Sequence, residues 1–241
     1  MKLENRPHAL LLDAGFTLVF CSGQRIAAEA ARAGVRADPG ALEAAEPALR
    51  RELALYSWAS TPAGGDGKSQ TGGPAFFRRL LELAAATGST RELDAAAAWI
   101  WEAHLRRNVW SRVGRGVDAA LGRLRAAGIK LAVVSNSEGT VGAVLDEVGL
   151  GRHLETVVDS WLVGVAKPDP RIFEIALGRI GIPAVQALMV GDSPTADVAG
   201  ARAAGVGAVL LDPLDVHPTS DVPRFSDIPA LVDAILGVEA G

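Results

Sequence analysis

Ala9-Leu10-Leu11-Leu12-Asp13-Ala14-Gly15 is an apolar run that stops on an acid and a glycine. Four apolar residues in a row, without alternation, fit a strand buried on both faces, so residues 9–13 are read as the first strand. The pattern recurs further along. A helical stretch from Val117 to Ala127, with Gly128 as its stop, leads into Ile129-Lys130-Leu131-Ala132-Val133-Val134 and then Ser135-Asn136. Next come a helix over about 139–148, a short strand Thr156-Val157-Val158, a helix over about 170–180 and a strand Ala187-Leu188-Met189-Val190. A helix over about 195–204 and a strand Ala208-Val209-Leu210-Leu211 complete the series. Strands alternating with helices predict an α/β fold with a parallel sheet covered on both faces.

Residues 24 to about 110 break that rhythm. They hold alanine-rich segments at helical spacing, interrupted at Asp38-Pro39-Gly40, at 61–73 and at Thr87-Gly88-Ser89. An all-α insertion is expected, separating the first strand from the rest of its sheet. The expected division is a core of 1–20 and 112–241 and an inserted helical domain of 21–111. The Gly-rich stretch from Thr61 to Gly73 is read as a mobile loop.

Composition narrows the function. Twenty-four Lys and Arg against 28 Asp and Glu give a net charge of −4, and the charges are dispersed, which speaks against a nucleic-acid partner. The one cysteine, Cys21, cannot close a disulfide within the chain, and a reducing, cytoplasmic setting is expected. The apolar run near the start is too short for a signal peptide, and no stretch is long enough for a membrane span.

Ligands of parallel sheets bind outside the carboxyl ends of the strands, which directs attention to the polar residues that follow the apolar runs. These are Asp13, Ser135, Asn136, Asp192 and Asp197, with Lys167 in Val165-Ala166-Lys167-Pro168-Asp169-Pro170 able to reach the same crevice. Carboxylates packed this closely repel one another unless a divalent cation and an ammonium neutralise them. Hard oxygen ligands favour magnesium.

Asp13-Ala-Gly-Phe-Thr17-Leu18, Ser135-Asn136, Lys167-Pro-Asp-Pro and Gly191-Asp192-Ser-Pro-Thr-Ala-Asp197, in this order, resemble the four motifs of the haloacid dehalogenase-like hydrolases. The insertion after the first motif resembles the helical cap of the phosphoglycolate phosphatase-like subgroup. The resemblance implies a Rossmann-like core and a helical-bundle cap domain that closes over the site. It also implies a phosphatase acting on a small phosphorylated substrate, with Asp13 as the nucleophile that forms an aspartyl-phosphate. Thr17 would orient groups around it, Ser135 would hydrogen-bond a phosphoryl oxygen, and Lys167 would neutralise charge. Asn136 joins Ser135 and Lys167 as an expected substrate contact. Magnesium would be held by Asp13, Asp192 and the Gly15 carbonyl, with Asp197 either a further ligand or the partner of Lys167 or of a metal-bound water. The amides of Ala14, Gly15 and Phe16 would complete an anion nest.

The chain departs from the family pattern at two adjacent positions. Where phosphatases of the family carry a second aspartate, which protonates the leaving oxygen and later activates water, this chain has Gly15; where they carry glycine, it has Phe16. Loss of such a proton donor removes a step worth roughly 10² to 10⁴ in rate. Two alternatives follow: a weak or inactive relative that binds a phosphometabolite, and a 2-haloacid dehalogenase, against which the acids Asp192 and Asp197 argue. Several other features are set aside. Gly67-Lys68-Ser69 lacks the first glycine of a P-loop, and Gly191 to Thr195 lacks the last glycine of a serine-hydrolase elbow. Trp58, Trp99, Trp101 and Trp110 are expected to pack between helices and Cys21 to be a buried small residue, while the four histidines are scattered.

Overall fold

The computed structural model describes residues 6–55 and 73–237. Trp58, Lys68 and the stretch 61–72 lie outside the described residues. The chain divides into two compact units, one of 1–20 with 113–241 and one of 21–112.

The first unit is built on six parallel strands: Ala9–Leu12 (β1), Lys130–Ser135 (β4), Thr156–Asp159 (β5), Ala187–Gly191 (β6), Gly207–Leu211 (β7) and Arg224–Phe225 (β8). Val19–Phe20 (β2) and Arg112–Val113 (β3) pair as a separate ribbon. The sheet order is β5-β4-β1-β6-β7-β8, so β1 is central and the strand order reverses at it. That reversal opens a crevice beyond the carboxyl end of β1. All four residues of β1 are fully buried, as the unbroken apolar run requires, and each leucine removed from water contributes about 1.5–3 kcal/mol. Register sets the level of the crevice: Leu12 pairs with Val133 and with Val190, and Ser135 pairs with Asp159.

The helices of this unit are Val117–Ala126 (α5), Val141–Glu147 (α6), Ser160–Val163 (α7), Pro170–Ile180 (α8), Gly200–Ala203 (α9) and Ile228–Leu236 (α10). Local chemistry fixes their ends. Helix α8 opens on the Asp169 side chain, which accepts from the Arg171 N–H, takes Pro170 in its first turn, and stops at Gly181 with φ +65°. Its apolar stripe, including Ile172, Phe173, Ala176 and Leu177, packs on the face of the sheet that carries Leu11, Val134 and Met189.

Two helices differ from their sequence expectation. The helix expected from about 139 starts at Val141, because the preceding backbone is held by Asp159 instead. The helix expected over 195–204 is a π-helical turn, Pro194–Ala199, continued by α9. Wide turns of this kind concentrate at functional sites.

The second unit contains Gly23–Arg32 (α1), Pro39–Leu55 (α2), Gly73–Leu83 (α3) and Thr90–Arg106 (α4). Ser22 caps α1, and Ser89 with Glu92 forms a reciprocal capping box on α4, an arrangement worth about 1 kcal/mol. Trp101 stacks on His104 of the same helix at 5.3 Å, and Trp110 packs against Phe76 of α3 at 5.6 Å. Trp99 is half exposed and donates its indole N–H to Glu29. Among the described residues, no helix is long and apolar enough to cross a membrane.

Candidate active site

Asp13 is the first residue past β1, and its N–H still continues the ladder by donating to the Val190 carbonyl at 2.8 Å. The chain then turns sharply. Leu18 and Val19 both donate to the Ala14 carbonyl, and the Phe16 N–H donates to the Val19 carbonyl at 2.9 Å. Closing this turn places Phe16 at φ +54°, the left-handed region, which costs an L side chain roughly 1–2 kcal/mol. The aromatic thus stands where the turn asks for glycine. The commitment of the Phe16 amide to Val19 corrects one expectation, since that N–H is spent inside the turn. An anion nest from this loop would then use the Ala14 and Gly15 amides.

The Asp13 carboxylate is buried and accepts from the Lys167 ammonium at 2.6 Å. Burial raises its pKa, Lys167 pulls it down and Asp197 pushes it up, for a net position of about 6. Thr17 donates to the other Asp13 oxygen at 3.5 Å, a long and weak bond.

Lys167 lies between α7 and α8 and is buried; its ammonium bridges Asp13 and, at 2.7 Å, Asp197. Burial alone would lower its pKa, but the two carboxylates outweigh burial and raise it, so the side chain remains a cation. Its backbone is held as well: the Lys167 N–H donates to the Asn136 side-chain oxygen at 2.7 Å, and the Asn136 amide donates to the Lys167 carbonyl at 2.9 Å.

Asp197 sits in the π-helical turn with one oxygen on Lys167 and the other accepting the Ser193 N–H at 2.9 Å. Its approach to the end of β6 needs a glycine there, because a Cβ on Gly191 would lie 2.2 Å from an Asp197 oxygen. Asp192, half-buried, follows directly. Oxygens of Asp13, Asp192 and Asp197 all lie within 4.8 Å of one another. Three carboxylates against one ammonium leave two negative charges, and the donors are hard oxygens, which suits a divalent cation such as magnesium.

Ser135 is buried at the end of β4. Beside it stands a residue overlooked in the sequence. Asp159 accepts both Oδ contacts from the Gly139 N–H, at 3.0 and 3.1 Å, and also accepts from Val141 and Trp161. Burial raises its pKa. The Ser160 hydroxyl accepts from the Ser137 N–H and donates to the Ser137 carbonyl, both at 3.1 Å. Together they hold the loop that follows Ser135-Asn136. The signal for Asp159 was available: it is an acid at the end of an apolar run, as Asp13 is.

A model of the haloacid dehalogenase-like hydrolases matches residues 9–205. Phosphoserine phosphatase of Thermus thermophilus is 35% identical over 232 residues, covering 82% of this chain and 85% of that protein. Phosphoglycolate phosphatase of Rhodospirillum rubrum is 46% identical over 97 residues, 40% of each chain. Among solved structures, a putative hydrolase of Bacillus subtilis bound to magnesium superimposes with a TM-score of 0.62 at 19% identity, covering 96% of this chain and all of that one. The likeness in structure is one of fold, and the sequence matches carry the assignment. This chain belongs to the haloacid dehalogenase-like hydrolases.

Proposed function

We propose that the protein is a magnesium-dependent phosphohydrolase that transfers the phosphoryl group of a small metabolite to Asp13 and then to water. The observation that carries this reading is the buried Asp13 carboxylate held against the Lys167 ammonium, with Asp192 and Asp197 beside it. Phosphatase relatives support the same chemistry.

Asp13 Oδ attacks phosphorus, and the bond from phosphorus to the leaving oxygen breaks. Water then attacks the aspartyl-phosphate, the bond from phosphorus to Asp13 breaks, and phosphate leaves. Lys167 offsets charge on Asp13 and on the phosphoryl oxygens, Ser135 donates to one of those oxygens, and the Gly15 amide faces another. Thr17 orients Asp13. Magnesium, held by Asp13, Asp192 and the Gly15 carbonyl, would screen the two anions from each other. Asp197, with one oxygen on Lys167 and the other on Ser193, serves to fix the lysine. A reducing, cytoplasmic setting suits the chain.

With glycine at position 15, no side chain there protonates the leaving oxygen. Acyl and aryl phosphates leave without a proton, so they are the preferred class over alkyl esters. The test is phosphate release from acetyl phosphate and p-nitrophenyl phosphate with and without magnesium, beside Asp13→Asn. Release that needs both magnesium and Asp13 is expected. Gly15 also favours a second reading, a phosphometabolite-binding protein without turnover; binding of the phosphorylated compounds with no Asp13-dependent release would replace the first reading with it.

A further inference from the structure

We propose that Asn136 is a positioning residue for Lys167 and not a contact for the substrate. The inference rests on the phosphohydrolase reading for its kinetic consequence, and on geometry alone for the clamp itself.

A lysine side chain has four rotatable carbon-carbon bonds, and its ammonium reaches two carboxylates at once only if its backbone is fixed. Here those carboxylates arrive from the ends of β1 and β6, whereas Lys167 arrives from the connection between α7 and α8. That connection has two anchors. On one side, the Asn136 amide takes both backbone groups of Lys167, accepting from its N–H at 2.7 Å and donating to its carbonyl at 2.9 Å. On the other, Gly200 of α9 packs so tightly on the next residue that a Cβ would lie 2.9 Å from Pro168 Cα and 3.0 Å from its oxygen. An alkyl side chain at this position would offer neither donor nor acceptor, and a carboxylate would keep the acceptor but lose the donor.

Asn136 is itself placed for this task. It follows Ser135, the last residue of β4, and the next residue is locked through both its backbone groups to the Ser160 hydroxyl. The amide is thus part of a chain of backbone locks that runs from α7 through the loop after β4 to Lys167. Each hydrogen bond contributes only modestly to stability. Its leverage lies in position, because a displacement of about 1 Å in a charged group costs on the order of 10² in rate.

The test has two arms that use the full chain. In the first, crystal structures of Asn136→Ala and of the isosteric Asn136→Asp, which keeps the acceptor and loses the donor, report the place of the Lys167 ammonium. At least one of its contacts to Asp13 and Asp197 should be lost in Asn136→Ala. In the second, turnover of acetyl phosphate with magnesium should fall by about 10- to 100-fold in kcat with KM within about threefold, and less steeply in Asn136→Asp. Retention of both lysine contacts in the two variants overturns the clamp. So does a raised KM at unchanged kcat, which would return Asn136 to the substrate. If the wild-type protein turns over no phosphate, the phosphohydrolase reading fails on its own, and the crystallographic arm still decides the clamp.

Discussion

The loops after β1 and after β6 both carry an acid to the same crevice, but they are in opposite condition. After β6 the groups interlock: Gly191 leaves room for Asp197, whose two oxygens accept from Lys167 and Ser193, while the Ser193 hydroxyl accepts from the Ala196 N–H at 3.0 Å. After β1 the turn is closed by a phenylalanine at φ +54°, and the residue before it, Gly15, brings no side chain to the crevice. On the proposed phosphohydrolase reading the contrast separates two tasks: the residues that would gather charge are together, and no side chain at position 15 would move a proton to the leaving group.

The most severe way to break the charge-gathering half is at the proposed nucleophile. Asp13→Asn should lower phosphate release by at least about 10⁴-fold, checked by single-turnover kinetics on acetyl phosphate. Next in size is Gly191→Ala. Its methyl group would meet Asp197 at 2.2 Å, so a loss of about 10² in kcat and about 1–3 kcal/mol in urea unfolding is expected. Gly142→Ala, in α6 with nothing within 4 Å, is the control and should gain about 0.5–1 kcal/mol.

The other loop is sharpened by comparing two truncations of its aromatic. Phe16→Gly and Phe16→Ala both remove the edge contact with Phe20 at 6.5 Å, but only glycine removes the left-handed strain. Phe16→Gly should be more stable than Phe16→Ala by about 1 kcal/mol in denaturant unfolding. The last effect concerns pH. Asp13 in the folded, metal-free protein sits at about 6, above the 3.8 of an ordinary aspartate, so the folded state binds more protons between those values. Its contribution to stability is therefore fully present below about 4 and is lost as pH rises through 6. Thermal unfolding of the metal-free protein against Asp13→Asn should show the wild type gaining relative stability as pH falls across that window.

The sheet was legible because its central strands are buried on both faces and leave unbroken apolar runs, as in Ala9 to Leu12 and Leu131 to Val134. The strands β2, β3 and β8 have two residues each, too few for any periodicity, and α10 follows a proline-rich stretch that masks it. In the site, acids and the lysine announced themselves by standing after those runs. What they hold did not. The Asn136 amide, the Ser160 hydroxyl and Asp159 act on backbone groups, which carry no residue identity, so only the folded chain reveals their partners. The π-helical turn at Asp197 was hidden for a related reason, since it depends on the approach of Asp197 to Gly191 across that turn.

The central claim, that phosphoryl transfer here proceeds without a protein proton donor, is tested by the dependence of rate on the leaving group. Second-order rate constants for acetyl phosphate, p-nitrophenyl phosphate and an alkyl phosphate would be measured with magnesium in the wild type and in Gly15→Asp. The wild type should fall steeply as the leaving group becomes more basic, and Gly15→Asp should flatten that fall by raising the alkyl phosphate about 10²-fold. A wild type that cleaves the alkyl ester as fast as the aryl one, with no gain on restoring aspartate, would contradict it.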